Sequence, residues 1–360
     1  MPLQPRRISE QLNRNAKTLT ASDDLTEQLD AAFDLLTGSE ITSGLNALGI
    51  ALSRSRRQFT SDDGLWVNKR GWEFCIRETL QKHKIRELLL EDPLTRYAYK
   101  KYRGYPGDAV TIDFLYSGLS APNSEEVRRE LLDASAMGRE IYRGINKYGV
   151  ATAVRARKTK LTEELDALPK RVKSPHILSV ASGHLREAQD SQLLKSGSFG
   201  RFIALDQDRR SLGEVERSCG SYGVEAVHAD AKSLLYGKLD LRGFDLIYAM
   251  GLYDYLRGRL AERLTEALYD ALNPGGRLII GNFTPDCYDL CYLEAYMDWW
   301  LECRTPQQME GLARRFSDVS VRAYRSASEP IAYLEITRRP SCSARRGRQD
   351  EERASVTATL

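Results

Sequence analysis

Apolar positions follow two different periods along the chain, and the change between them divides it. Up to about residue 172 the period is helical. Leu25, Leu29, Phe33 and Leu36 recur at helical spacing after Ser22, a candidate N-cap, and Gly38 can end that helix. Leu45, Leu48 and Leu52 repeat the pattern. The stretch "WEFCIRETLQKHKIRELLL" predicts a third helix, interrupted near Pro93, and "KYRGYPGDAVTIDFLYSG" predicts a loop followed by a short helix. Two long helices are predicted for "SEEVRRELLDASAMGREIYRGINKYG" and "VATAVRARKTKLTEELDAL".

From about Ser174 the pattern alternates between short apolar runs and amphipathic stretches. "HILSVAS", "RFIALDQD", "VEAVHAD", "FDLIYAM" and "GRLIIGNF" predict strands; "LREAQDSQLLK", "RRSLGEVERSCG" and "RGRLAERLTEALYDAL" predict the helices between them. Such alternation predicts an α/β fold with a mostly parallel sheet and helices on both faces. "DLCYLEAYMDWWLEC" is too long and too aromatic for a simple loop and reads as helical. The zone ends in "VSVRAYRSASEPIAYLEITRR", two strands around a Ser/Pro turn, which makes at least one terminal strand antiparallel. The expected organisation is a flexible N-terminus (1–20), a helical cap domain (21–172), a sheet domain (173–339) with an insertion at 284–304 over its site, and a disordered, arginine-rich tail (340–360).

Composition narrows the classes. Apolar residues make up 42% and the formal net charge is +3. A large core is available, and nothing argues for nucleic acid or a membrane surface as a partner. No run of about 18 apolar residues appears. The six cysteines, Cys75, Cys219, Cys287, Cys291, Cys303 and Cys342, form no CxxC pair, so no metal site is expected and a reduced cytoplasm fits. A homodimer is compatible with this composition.

Open parallel sheets bind ligands at the carboxyl ends of their strands. The loops there hold Ser182, Gly183 and His184 after the first strand, Asp206 and Gln207 after the second, and Asp230 and Ala231 after the third. Met250, Gly251, Tyr253, Asp254 and Tyr255 follow the fourth strand, and Asn282 the fifth. Asp206 lies about 20 residues past the glycine turn, where a carboxylate can accept from both ribose hydroxyls of NAD or of S-adenosylmethionine. The turn separates the two. A pyrophosphate requires G-x-G-x-x-G, whereas this chain has Ala181, Gly183 and Glu187 or Ala188. The first glycine is missing, and Glu187 in the first helical turn is expected to repel phosphates. S-adenosylmethionine has no phosphate and needs one close backbone approach, at Gly183. Asp230 suits the adenine amine. A plainer role for Asp206, capping the helix after it, is the alternative.

The series "ILSVASG", "IALDQD", "VHADA", "FDLIYAMGLYDYL" and "LNPGGRLIIGNF" resembles the ordered motifs of class I S-adenosylmethionine-dependent methyltransferases, over about residues 174–339. The resemblance implies a Rossmann-like methyltransferase sheet with a terminal hairpin, and S-adenosylmethionine as cofactor. The chain departs from the pattern at Ser179, where an acid is common, and at Ala181, where glycine is usual. "RGYPGDAVTIDFLY", "SGHLREA", "GLYDYL" and "YLEAYMDWWL" further resemble a bacterial subgroup with a helical N-terminal cap, some members of which are associated with making 3-hydroxypalmitic acid methyl ester. That resemblance implies methyl transfer to a small-molecule carboxylate.

Two acceptor chemistries stay open. Arg103, Arg143, Arg155 and Arg157 could grip a carboxylate acceptor, which needs no base. An amine or guanidinium acceptor would call on acids and aromatic faces, which Tyr253, Asp254, Tyr255, Glu294, Asp298, Trp299 and Trp300 offer. On a helix the two tryptophans would point about 100° apart, so one is expected to be structural. Tyr105, Asp108, Tyr253, Asp254, Asn282 and Trp300 are the candidate catalytic residues. An NAD-dependent oxidoreductase and a non-catalytic S-adenosylmethionine-binding scaffold are the rival classes.

Overall fold

The structure is a computed structural model that describes residues 24–61, 67–118, 124–235, 239, 241–317 and 319–339. Ser22 and the expected terminal segments 1–20 and 340–360 lie outside the described residues. The chain forms two compact units, one of residues up to 155 together with 285–300, the other of 156–284 together with 301 onward.

The first unit is helical. Helix α1 (24–37) buries Leu25, Leu29 and Leu36, and α2 (Ile41–Arg57) buries Leu45, Leu48 and Leu52, as their spacing predicts. The expected third helix is broken. It runs as α3 (Lys69–Cys75), a π-helical stretch (Ile76–Leu80) and α4 (Ile85–Leu89). Helix α5 (Pro93–Lys100) restarts at Pro93, where a missing N–H costs nothing. Asp108 caps α6 (Ala109–Ser117), and the expected long helix divides into α7 (Glu125–Asp133) and α8 (Ala136–Ile145). The break arises because the hydroxyl of Ser135 caps α8, accepting from Gly138 N. Helix α9 (Gly149–Ala167) is continuous, so the division of the units falls inside it and not at residue 172.

The sheet unit begins with β1 (His176–Val180). The single helix expected next divides at Ser191 into α10 (Arg186–Asp190) and α11 (Gln192–Ser196). The Ser191 hydroxyl donates to Ala188 O, ending one helix, and accepts from Leu194 N, starting the next. Then come β2 (Arg201–Asp206), α12 (Arg209–Cys219), β3 (Val224–His228), α13 (Ala231–Leu235), β4 (Phe244–Ala249) and α14 (Gly258–Asp270). Strand β5 (Leu272–Phe283) is longer than expected because it contains the "NPGG" segment. Its register against β4 jumps there, from Phe244 opposite Leu272 to Leu246 opposite Arg277, and Gly275 takes the left-handed φ (86°) of the bulge. Helix α15 (Leu290–Tyr296) belongs to the helical unit, so the segment expected as an insertion in the sheet domain counts with the first unit from 285 to 300. It ends before Met297, and Asp298 has a φ of 47°, so Trp299 and Trp300 do not share a helix. Helix α16 (Pro306–Gly311), β6 (Val319–Arg325) and β7 (Ile331–Arg338) complete the chain.

The strand order is β3-β2-β1-β4-β5-β7-β6, parallel through β5, with β7 antiparallel to both β5 and β6. This is the Rossmann-like sheet with a terminal hairpin. Alternate strand residues feed two cores. Leu178, Val180, Ile203, Leu205, Ile247 and Leu278 pack with Leu264 and Leu268 of α14. On the other face Ile177, Phe202, Ala204 and Ile279 pack with Leu161 and Leu165 of α9 and Val215 of α12. Truncating any one of these large side chains to alanine costs about 2–5 kcal/mol.

Within the helical unit, Asp92 is fully buried. It accepts from Leu94 N (3.1 Å), Thr95 N (2.8 Å) and Thr95 Oγ1 (2.6 Å). Burial nevertheless pushes its carboxyl up to about 6, against the pull of those hydrogen bonds. The folded chain thus keeps a proton that an unfolded aspartate releases near pH 4. The stabilisation is present at low pH and is lost as pH rises through 6. Raising pH from about 5 to about 7 is expected to cost about 1 kcal/mol through this residue. Urea denaturation across that range should show Asp92→Asn with a flatter profile; an unaltered profile would refute the assignment.

Candidate functional site

The order of the strands reverses between β1 and β4, and an open sheet is split at such a point into a crevice beside its carboxyl ends. The turn after β1 is strained. Ala181 (φ 54°), Gly183 (55°) and Leu185 (53°) all take left-handed conformations, and two of the three carry a Cβ. Such a conformation costs roughly 1–2 kcal/mol at each non-glycine residue. Clustered outliers of this kind mark functional turns.

Asp206 holds this turn. It is buried at the end of β2. Its Oδ2 accepts from Gly183 N (2.8 Å) and its Oδ1 from Asp208 N (2.8 Å). Burial raises its carboxyl above the usual range, opposed by these two N–H groups. The cap of α12 is Asp208, which accepts from Arg210 N and Ser211 Oγ, so Asp206 is not the helix cap. The Ser182 Oγ beside it is buried without a hydrogen-bond partner. His184 is also buried and lies 3.4 Å from Arg186 Nη2.

Glu187 differs from expectation. Its carboxylate turns inward and accepts from the Tyr248 hydroxyl (2.8 Å), so it does not face the turn as a barrier to phosphates. Burial raises its carboxyl too. Ala181 therefore remains the feature that disfavours a dinucleotide. Gln207 is exposed, and its carbonyl lies 3.1 Å from His228 Nε2. Asp230 is exposed, and its Oδ1 accepts from the backbone N–H and hydroxyl of Ser233, bracing the start of α13 that Ala231 opens.

At the ends of β4 and β5 lies a second construction. Asp254 is buried; its Oδ1 accepts from Asn282 Nδ2 (2.8 Å) and Phe283 N (2.8 Å), and its Oδ2 from Arg157 Nη1 (3.1 Å). Arg157 also donates to Met250 O and stacks over the Phe283 ring at 4.4 Å. Arg304 donates to Asn282 Oδ1 (2.6 Å), Tyr253 O (2.7 Å) and Leu256 O. Tyr253 is wholly buried, with its hydroxyl 2.9 Å from Thr265 Oγ1. These contacts join Tyr253, Asp254 and Asn282 in one buried network. The three are packed inside and hold the loop after β4 to the end of β5. Gly251 and Tyr255 are the exposed residues of that loop, and Met250 is half-buried.

Tyr105, Asp108 and Trp300 belong to the helical unit. Tyr105 is half-buried. Asp108 is buried, and its Oδ1 accepts from Val110 N and Thr111 N, both at 2.9 Å. Burial raises its carboxyl to about 6, with Arg103 pulling the other way. Trp300 donates to Asp298 Oδ1 (2.9 Å), and Trp299 is the buried, structural member of the pair. The residues expected to grip an acceptor are also engaged. Arg103 pairs with Glu126, Arg143 with Glu140, and Arg155 donates to Leu115 O and Asn146 O. Glu294 takes a two-pronged bond from Arg56 (2.6 and 2.8 Å) and another from Trp72 Nε1 (2.8 Å). Missed by sequence reasoning were Arg304 and the buried role of Arg157, since nothing local marks an arginine as internal.

Among the described residues, no group of His, Cys, Asp and Glu could hold a metal ion, and no helix is long and apolar enough to cross a membrane.

No family model and no curated protein matches the chain. Solved structures do. A possible exported protein from Bordetella parapertussis is 20% identical with a TM-score of 0.48, the match covering 69% of this chain and 95% of that one. The CMeT domain of the citrinin polyketide synthase is 16% identical with a TM-score of 0.47, over 75% and 69%. The S-adenosylmethionine-dependent methyltransferase SibL is 18% identical with a TM-score of 0.43, over 68% and 70%. At such identities and scores the likeness concerns the course of the chain and not its chemistry.

Relief of the strained turn offers a direct check. Ala181→Gly is expected to stabilise the sheet unit by about 1 kcal/mol, because glycine adopts a left-handed φ without the Cβ clash. Denaturant midpoints of the two proteins measure this, and a lower midpoint for the variant would contradict the strain.

Proposed function

We propose that the chain is a S-adenosylmethionine-dependent methyltransferase that esterifies a small-molecule carboxylate in the biosynthesis of a signal or secondary metabolite. The observation that carries this reading is the strained turn 181–185 fastened to the buried Asp206, with the Ser182 hydroxyl left without a partner. The residues fit the cofactor. A carboxylate keeps lone pairs beyond the two that Asp206 spends on backbone N–H groups, enough to accept from ribose hydroxyls. Ser182, Gly183 and His184 would hold the methionine end, Gln207, Asp230 and Ala231 the adenine, and Met250, Gly251 and Tyr255 the remaining wall. When bound, the cofactor supplies a methyl group activated on a sulfonium.

The chain's own work is to orient the acceptor and exclude water. An acceptor that needs no base suits this site better than an amine. Asp254, the first acid after the fourth strand, is occupied by Arg157, Asn282 and Phe283 N, and a base role would dismantle that network. The subgroup resemblance favours the same acceptor class, a hydroxy fatty acid carboxylate.

Calorimetry with S-adenosylhomocysteine tests the cofactor assignment. Asp206→Ala is expected to weaken binding by about a hundredfold, the loss of two hydrogen bonds to a charged group. Asp206→Asn, which keeps the shape, should weaken it less. Unchanged binding in both variants would sink the proposal, and so would a thermal shift produced by NAD but not by S-adenosylhomocysteine. Incubation with labelled cofactor and a series of hydroxy fatty acids tests the acceptor, where base-labile label marks an ester.

A further inference from the structure

The helical unit carries a half-open pocket of about 450 Å³ between α2, the residues leading into α9, and the start of α15. This size lies within the range of small-molecule sites, and it far exceeds the roughly 30 Å³ that one water fills. Its walls are apolar and aromatic, formed by Leu45, Ile50, Tyr148, Tyr288 and Tyr292. Two of them, Ile50 and Tyr288, are 48% and 51% exposed, unusually wet for large apolar side chains. The Tyr288 ring packs against α2 at Gly49, where a Cβ would come within 3.1 Å of Cε1.

Asn46, Lys147, Tyr148 and Asp289 interrupt this lining with polar groups. The Tyr148 hydroxyl is buried and has no hydrogen-bond partner. Burial, and then the charge of Asp289, hold its proton on, so it remains a donor. A buried unmet donor costs about 1–3 kcal/mol. Asp289, itself buried, accepts from Val150 N (3.1 Å), and its carboxylate retains lone pairs. The Tyr148 ring is held edge-on to Tyr292 at 5.6 Å, which fixes the direction of its hydroxyl.

We infer that this cavity binds a small aromatic alcohol, with its ring system between the tyrosines and its hydroxyl between Tyr148 and Asp289. A hydroxyl both accepts, from the Tyr148 phenol, and donates, to the Asp289 carboxylate. A plain hydrocarbon would leave the phenol unmet. The aromatic walls favour a flat ligand through edge and face contacts. This inference does not depend on the methyltransferase reading, and it is tested without cofactor.

The test is a fluorescence titration of the full chain with 2-naphthol, and with naphthalene as the partner lacking the hydroxyl. Saturable binding of 2-naphthol is expected, tighter than that of naphthalene. Tyr148→Phe should weaken 2-naphthol by about five- to tenfold, the worth of one hydrogen bond, and leave naphthalene unchanged. Ile50→Trp, which fills the mouth from an exposed position, should weaken both. Absence of saturable 2-naphthol binding overturns the inference, as does equal binding by Tyr148→Phe and the unaltered chain. If Tyr148→Phe fails to fold, undiminished binding by Ile50→Trp overturns it instead.

Discussion

Parallel strands that end inside a protein leave backbone N–H and C=O groups without ladder partners, and the sheet unit is built around meeting that demand. Two buried carboxylates meet it. Asp206 takes the N–H groups of Gly183 and Asp208 and so ties the ends of β1 and β2 together. Asp254 takes the N–H of Phe283 and the amide of Asn282 and so ties the loop after β4 to the end of β5. The carbonyls are met from the other side, by Arg157 at Met250 and Arg304 at Tyr253 and Leu256. The two acids differ in what they leave over. Asp254 sits among arginines that balance its charge, whereas Asp206 receives only neutral N–H groups. A carboxylate held in that way is a ready acceptor for further donors, which is why the proposed cofactor contact falls there and not at Asp254.

Much of the sheet could be read directly. Runs such as Phe202 to Leu205 and Leu246 to Ala249 are apolar on both faces because both faces are covered. The terminal hairpin was legible from its Ser/Pro turn. Helix ends were less so. Ser191 stops one helix and starts another, Ser135 starts α8, and a serine inside an amphipathic run looks like an ordinary surface residue until its hydroxyl is seen to bond the backbone. The "NPGG" segment reads as a turn, yet it is absorbed as a bulge within β5.

Site residues divide in the same way. Asp206 and Gly183 were legible because strand period and turn chemistry fix their places locally. The inward turn of Glu187 was not, since it depends on Tyr248, 61 positions away. Nor could local pattern assign α15 to the helical unit. That membership rests on Glu294 meeting Arg56 across 238 positions and on Tyr292 meeting Thr95 across 197. Charge and aromaticity mark such residues as special, but spacing alone does not say whether they serve an acceptor or the interior.

The excursion of residues 285–300 sets an order of events during synthesis. Arg56, Trp72 and Thr95 leave the ribosome early, but their buried partners Glu294 and Tyr292 follow only after five of the seven strands have been made. Until then the helical unit has an open seam where α15 belongs. It therefore cannot close as an independent N-terminal module. Folding of the first-made unit waits on nearly the whole of the second, and a nascent chain stalled before residue 290 would expose that seam to chaperones or proteases.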